Sequence, residues 1–129
     1  MVIDTSAILA ILLDEPEAPD FERRIAADPV RLISAATLVE AAIVIESRLG
    51  DAGGREFDLW LHRLDAEVAP VDADQAQMAR RAWRRFGKGR HPAGLNYGDC
   101  FAYALAATRG EPLLFKGDDF SRTDLVAAP

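Results

Sequence analysis

Carboxylates stand against apolar sequence in four places. Asp4 directly follows Met1-Val2-Ile3 and precedes Thr5-Ser6. Glu40 lies inside Thr37-Leu38-Val39-Glu40-Ala41-Ala42, and Asp99 opens an apolar run in Asn96-Tyr97-Gly98-Asp99-Cys100-Phe101. Asp118 and Asp119 follow Leu113-Leu114-Phe115. A carboxylate at the mouth of an apolar element is costly to desolvate unless something positive compensates it. Two carboxylates about 4 Å apart repel by roughly 4 kcal/mol at an effective dielectric near 20. Acids gathered at one place must therefore protonate or share a cation. Hard oxygen donors without His or Cys suit Mg²⁺ or Mn²⁺, and neither His62 nor His91 has a partner at zinc-ligand spacing. Glu46 shares a helix with Glu40 but, six residues on, faces another direction and reads as solvated.

The elements that must position these acids are short. Met1–Asp4 reads as a buried strand, Ser6–Leu13 as an apolar helix capped by Thr5 or Ser6, and Asp14-Glu15-Pro16 as its end. Ala18–Ala27 carries Phe21 and Ile25 at helical spacing. Val30–Ile33 is a second strand. Ser34 can cap a long helix, Ala35–Leu49, that Gly50 ends and whose apolar positions run nearly all round, which predicts burial on more than one face. Gly53-Gly54 reads as a turn, Arg55–Leu64 as an amphipathic helix, and Val68–Val71 as a third strand. Asp72 caps Ala73–Phe86, and residues 87–95 form a Gly- and Arg-containing loop. Asp99–Thr108 is a helix stopped by Gly110, Pro112–Phe115 a fourth strand, and Leu125–Ala128 a weaker fifth. Strands alternating with helices predict one α/β domain over residues 1–129, with a mostly parallel sheet covered on both faces. Ligands of such sheets gather outside the carboxyl ends of the strands, where Asp4 and Asp118/Asp119 stand.

Composition narrows the partners. The chain has 129 residues, 50% hydrophobic and 28% charged, with a net charge of −6. An acidic balance repels phosphate, yet residues 80–91 hold Arg80, Arg81, Arg84, Arg85, Lys88, Arg90 and His91 without one acid. The arginines at helical spacing read either as a solvated face or as a polyanion contact. Lys88, Arg90 and His91, close in sequence to Asn96, are better placed to meet a polyanion's phosphate. Lys116, at a strand end, would meet a phosphate or pair with an acid. Trp60, Trp83 and Tyr97 are candidates for base stacking, with Trp60 the more natural core residue. The single Cys100 cannot form an internal disulfide, and no apolar run nears the roughly 18 residues of a membrane span. A cytoplasmic protein without a membrane segment is expected.

Taken together, Val2-Ile3-Asp4-Thr5-Ser6-Ala7, the helical Glu40, Leu95-Asn96-Tyr97-Gly98-Asp99-Cys100 and Leu114-Phe115-Lys116-Gly117-Asp118-Asp119-Phe120 resemble the PIN domain. More narrowly, the chain resembles the VapC toxins of VapBC toxin–antitoxin pairs, and the resemblance spans essentially its whole length. It implies a three-layer α/β/α fold with a short, mostly parallel sheet of four to five strands. It also implies an Mg²⁺- or Mn²⁺-dependent endoribonuclease that cuts single-stranded or loop RNA, is neutralised by a VapB antitoxin and forms homodimers. Matched position by position, the catalytic and metal-holding acids are Asp4, Glu40 and Asp99. Many members carry an acid where this chain has Gly117, so the fourth is either Asp119, by register from Phe120, or its neighbour Asp118. Thr5, Ser6 and Asn96 are candidates to support the ligands from behind, and are otherwise caps or turn residues. One ion or two is left open. Water attack at phosphorus would leave a 5′-phosphate and a 3′-hydroxyl.

Two other classes compete. A receiver-like phosphoacceptor domain would use Asp4, Asp72 and Lys116 but gives no role to Glu40 or Asp99; acetyl phosphate labelling would reveal it. A PIN-like protein that binds RNA without cutting is the other, and metal-dependent cleavage separates an active nuclease from such a binder.

Overall fold

The computed structural model describes all 129 residues. Strands β1 (Val2–Ile3), β2 (Leu32–Ser34), β3 (Glu67–Ala69) and β4 (Leu113–Leu114) form one sheet in the order β3-β2-β1-β4. Every pairing is parallel, with Val2 opposite both Leu32 and Leu113, and Ser34 opposite Ala69. The expected fifth strand is a single bridge: Leu113 bonds to Val126 O and Ala128 N, and pairing goes no further.

Side chains of a strand alternate between faces, and here each alternate residue enters a different core. Val2, Leu32 and Leu113 pack with helices α4 (Ala73–Phe86) and α5 (Tyr97–Arg109). Ile3, Ile33 and Leu114 pack on the other face with α1 (Thr5–Leu12), α2 (Ala18–Ala27) and α3 (Ala35–Leu64). This is the three-layer α/β/α arrangement, and it explains why the strands read as continuous apolar runs.

Three local expectations change. The cap of α1 is neither Thr5 nor Ser6 but Asp4, whose carboxylate accepts from Ser6 N. The turn expected at Gly53-Gly54 is helical: α3 breaks only at Gly50 (φ 63°, ψ −159°) and resumes at once. Gly53 is needed there for space, because a Cβ on it would overlap Leu49 and press on Ile45 across the kink. The first half of α3 is buried along Thr37, Ala41 and Ile45, but Val39 and Ile43 are 54% and 61% exposed, so it does not bury its full circumference. No helix is long and apolar enough to cross a membrane.

Candidate metal centre at the carboxyl ends of the strands

Parallel strands β1 and β4 deliver their carboxyl ends side by side, with Asp4 N–H donating to Leu114 O at 3.0 Å. Asp4, 3% exposed, is the first residue beyond β1 and closes the N-terminus of α1. Its Oδ2 accepts from Ser6 N (2.9 Å) and from the Ser6 hydroxyl (2.6 Å), which leaves Oδ1 without a protein donor. The Ser6 oxygen is in turn fixed by Lys116 N–H at 2.9 Å, so the second residue after β4 braces the acid after β1.

Glu40 comes from α3, where Thr5 Oγ1 donates to its Oε2 at 2.5 Å. Its carboxylate lies against the backbone of Gly98, and a Cβ at that position would occupy the same space. Asp99 sits in the first turn of α5 and joins Asn96 in a reciprocal capping box. Asn96 N–H donates to Asp99 Oδ2 at 2.8 Å, and Asp99 N–H donates to Asn96 Oδ1 at 2.9 Å. Asp119 precedes a short 3₁₀ turn, Phe120–Arg122.

Electrostatics ties these acids together. Burial pushes the Asp4 carboxyl up to about 6, against the lowering effect of the Ser6 hydrogen bonds, and the charges of Asp99 and Glu40 raise it further. Asp99 is also raised, first by burial and then by Asp119 and Glu40, while its bond from Asn96 opposes the shift. Asp118 raises neither group; it is exposed, and its carbonyl accepts from the Ser121 hydroxyl at 2.6 Å. The structure thus brings Asp4, Glu40, Asp99 and Asp119 close enough to act on one another's charge.

No three acidic, His or Cys side chains close into a preformed cage. One oxygen of Asp99 is engaged by its own helix cap and one oxygen of Glu40 by Thr5. A hard divalent ion such as Mg²⁺ takes oxygen donors of this kind and commonly keeps part of its own water, so it does not require a closed protein cage. The all-oxygen donors and a buried carboxylate with one free oxygen fit the same ion.

The remaining candidates separate. Lys116 Nζ points away from the acids, pairing with Glu15 (2.7 Å) and Glu17 (3.0 Å), so its contribution here is its main-chain N–H. His91 is half-buried, edge-on to Phe86, and accepts from Ala93 N–H at 3.1 Å; it shapes the loop. Lys88 is exposed, and the Arg90 guanidinium lies 4.2 Å from the centre of the Trp83 ring. Trp60 stacks on Phe57 in the core, as its spacing suggested. Glu46 is exposed on the second side of α3.

Two features were missed in the sequence. One is Gly98, whose lack of a side chain admits Glu40. The other is a groove of about 510 Å³ between α4 and α5, with Trp83, Tyr97 and Phe101 on its walls and Arg80 and Arg84 among its lining residues. The spacing of Arg80, Trp83 and Arg84 places them on one helix face, which was the available signal.

Residues 1–126 match the PIN domain family. A ribonuclease VapC of Mycolicibacterium smegmatis is 64% identical over 127 residues, covering 98% of each chain. The ribonuclease VapC30 of Mycobacterium tuberculosis is 60% identical over 131 residues, covering both chains fully. Among solved structures, the Mycobacterium tuberculosis toxin VapC20, described as cleaving the sarcin–ricin loop, superposes with a TM-score of 0.79 at 22% identity over 99% of this chain and 98% of that one. A toxin–antitoxin complex from Klebsiella pneumoniae superposes at 0.75 and 16% identity, over 98% and 94%. The fold and its acidic edge therefore define a PIN domain. Within that class the chain belongs to the VapC toxin family of VapBC pairs.

Proposed function

We propose that this chain is an Mg²⁺- or Mn²⁺-dependent endoribonuclease, a single PIN domain that cuts single-stranded or loop RNA as the toxin of a type II toxin–antitoxin pair. The observation that carries the reading is Asp4: a buried carboxylate at a strand end, with a free oxygen, raised by burial and by the charges of Asp99 and Glu40. Identity of 60–64% to proteins named VapC ribonucleases supports the activity class.

Asp4, Glu40, Asp99 and Asp119 would hold the ion. When bound, the ion would supply positive charge for phosphoryl oxygens and lower the pKa of a water. The chain's own residues do the positioning. Ser6 fixes one oxygen of Asp4 and leaves the other free. Thr5 orients Glu40, and the Asn96 capping box sets Asp99 at the positive end of α5. Lys88 and Arg90, both exposed, would be available to RNA phosphate.

A VapB-type antitoxin and a second copy of the chain are the expected protein partners. The apolar face of α2 is buried through Phe21 and Ile25, so the exposed apolar residues beside Glu40 are on α3, at Val39 and Ile43. A cytoplasmic setting agrees with the one unpaired, buried Cys100.

The test is incubation of purified, antitoxin-free protein with total RNA and Mg²⁺ or Mn²⁺, beside EDTA and an Asp99→Asn control. Discrete cleavage abolished in both controls is expected. Cleavage that persists in EDTA, or none with either ion from folded protein, would contradict the assignment.

A further inference from the structure

Between Asp74 and Asp99 there is no acidic residue, while Arg80, Arg81, Arg84, Arg85, Lys88 and Arg90 all fall in that stretch. Only Arg85 of these six is ion-paired, to Asp124 at 3.0 Å. A protein of net charge −6 therefore keeps five cations without a carboxylate partner within one short stretch of α4 and its following loop. Two of them, Arg80 and Arg84, line the α4–α5 groove.

The groove also presents aromatic faces to solvent, which is uncommon for a surface that only needs to be soluble. Tyr97 is 81% exposed and Trp83 42% exposed. The Tyr97 ring is braced edge-on by Phe101, centroids 4.9 Å apart. Arg90, which does not line the groove, stacks over the Trp83 ring and holds it in place. Tyr97 is two residues from Asp99, in the same first turn of α5.

Aromatic rings with flanking arginines and no acids form a platform for single-stranded nucleic acid: bases stack on the rings and phosphates meet the guanidinium groups. We infer that the Trp83–Tyr97 groove is a nucleobase-stacking subsite for RNA, seating an unpaired base that flanks the cleaved nucleotide, with Arg80 and Arg84 on its backbone. This subsite rests on the ribonuclease reading above. Charge complementarity selects RNA as occupant over a second copy of this acidic chain.

The test is fluorescence anisotropy of a labelled short oligoadenylate in EDTA, so that nothing is cut, with full-length antitoxin-free protein. Tyr97→Ala and Trp83→Ala should each weaken binding roughly 5- to 100-fold, while Tyr97→Phe and Trp83→Phe retain it. Arg80→Gln and Arg84→Gln should each lower the salt slope by roughly 0.7. Tyr97 is so exposed that its alanine variant keeps the fold, which covers the case in which Trp83→Ala does not. Unchanged affinity in the Tyr97→Ala protein, while the parent protein binds oligoadenylate and cleaves RNA, would overturn the subsite and leave the ribonuclease standing. Loss of a homodimer by light scattering with oligoadenylate binding intact would assign the groove to protein and overturn it as well. A parent protein that neither binds oligoadenylate nor cleaves RNA would remove both readings.

Discussion

Asp4 performs two tasks that ordinarily belong to different residues. It caps α1, and it presents a buried carboxylate to the space shared with Glu40 and Asp99. The cap makes burial tolerable, since two donors from Ser6 replace lost water on one oxygen. The cost remains visible in the raised carboxyl and gives a signed expectation. A group whose folded pKa lies above its unfolded value binds more protons when folded. Its contribution to stability is complete below pH 4 and disappears as pH rises through about 6. In thermal melts, metal-free protein should lose on the order of 3 kcal/mol across that window from this group. Saturating Mn²⁺ should restore stability above pH 6, and Asp4→Asn should flatten the slope. Thr5→Val removes no acid but releases Glu40 from its hydroxyl donor, and should lower cleavage by about 10- to 100-fold with little change in melting temperature.

Much of the site was legible at this scale because acids in apolar sequence are conspicuous: Asp4, Glu40 and Asp99 lie where such residues would be costly without a task. The choice between Asp118 and Asp119 was not legible. Adjacent residues point different ways, and register alone does not say which of them faces Asp99, whose carboxyl the Asp119 charge raises. The cap of α1 was misassigned because Thr and Ser are good caps by type, whereas the chain turns into helix one residue earlier.

Among the elements, α3 and α5 carry the distinctive constraints. Gly50 adopts φ 63° and ψ −159°, a region held essentially by glycine. Gly50→Ala should cost about 1–3 kcal/mol in urea denaturation, without touching an acid. Gly98→Ala sets two effects against each other. Alanine gains up to about 1 kcal/mol in a helix, but its Cβ would take the place of the Glu40 carboxylate. We expect a melting temperature within a few degrees of the parent and a fall in cleavage on the order of tenfold or more. A parallel loss of stability and activity would show that Gly98 serves packing alone. Sequence patterning located every strand and most helices, since alternating faces force apolar runs. It placed a turn at Gly53-Gly54 because glycine pairs usually mark one, and missed that the helix halves must approach closely at Gly53.

At the scale of the whole molecule, net charge misleads and distribution informs. The acids border one edge of the sheet and the unpaired arginines accompany α4 and its following loop. The exposed Val39 and Ile43 on α3 give a separate apolar surface beside Glu40. Ile43→Asp should weaken co-purification with the cognate antitoxin or reduce homodimer mass in light scattering, with RNA cleavage retained by the free protein. The α4–α5 groove was not legible as a cavity, because its walls come from residues separated by the loop at 87–95, which has no periodicity to read.

The most direct measurement is the chemistry of the cut ends. Parent protein with Mg²⁺ or Mn²⁺ should leave 5′-phosphate and 3′-hydroxyl termini on RNA, and Asp99→Asn should leave none. Termini carrying a 2′,3′-cyclic phosphate would mean that the RNA's own 2′-hydroxyl attacks, and would contradict a carboxylate-held ion activating water.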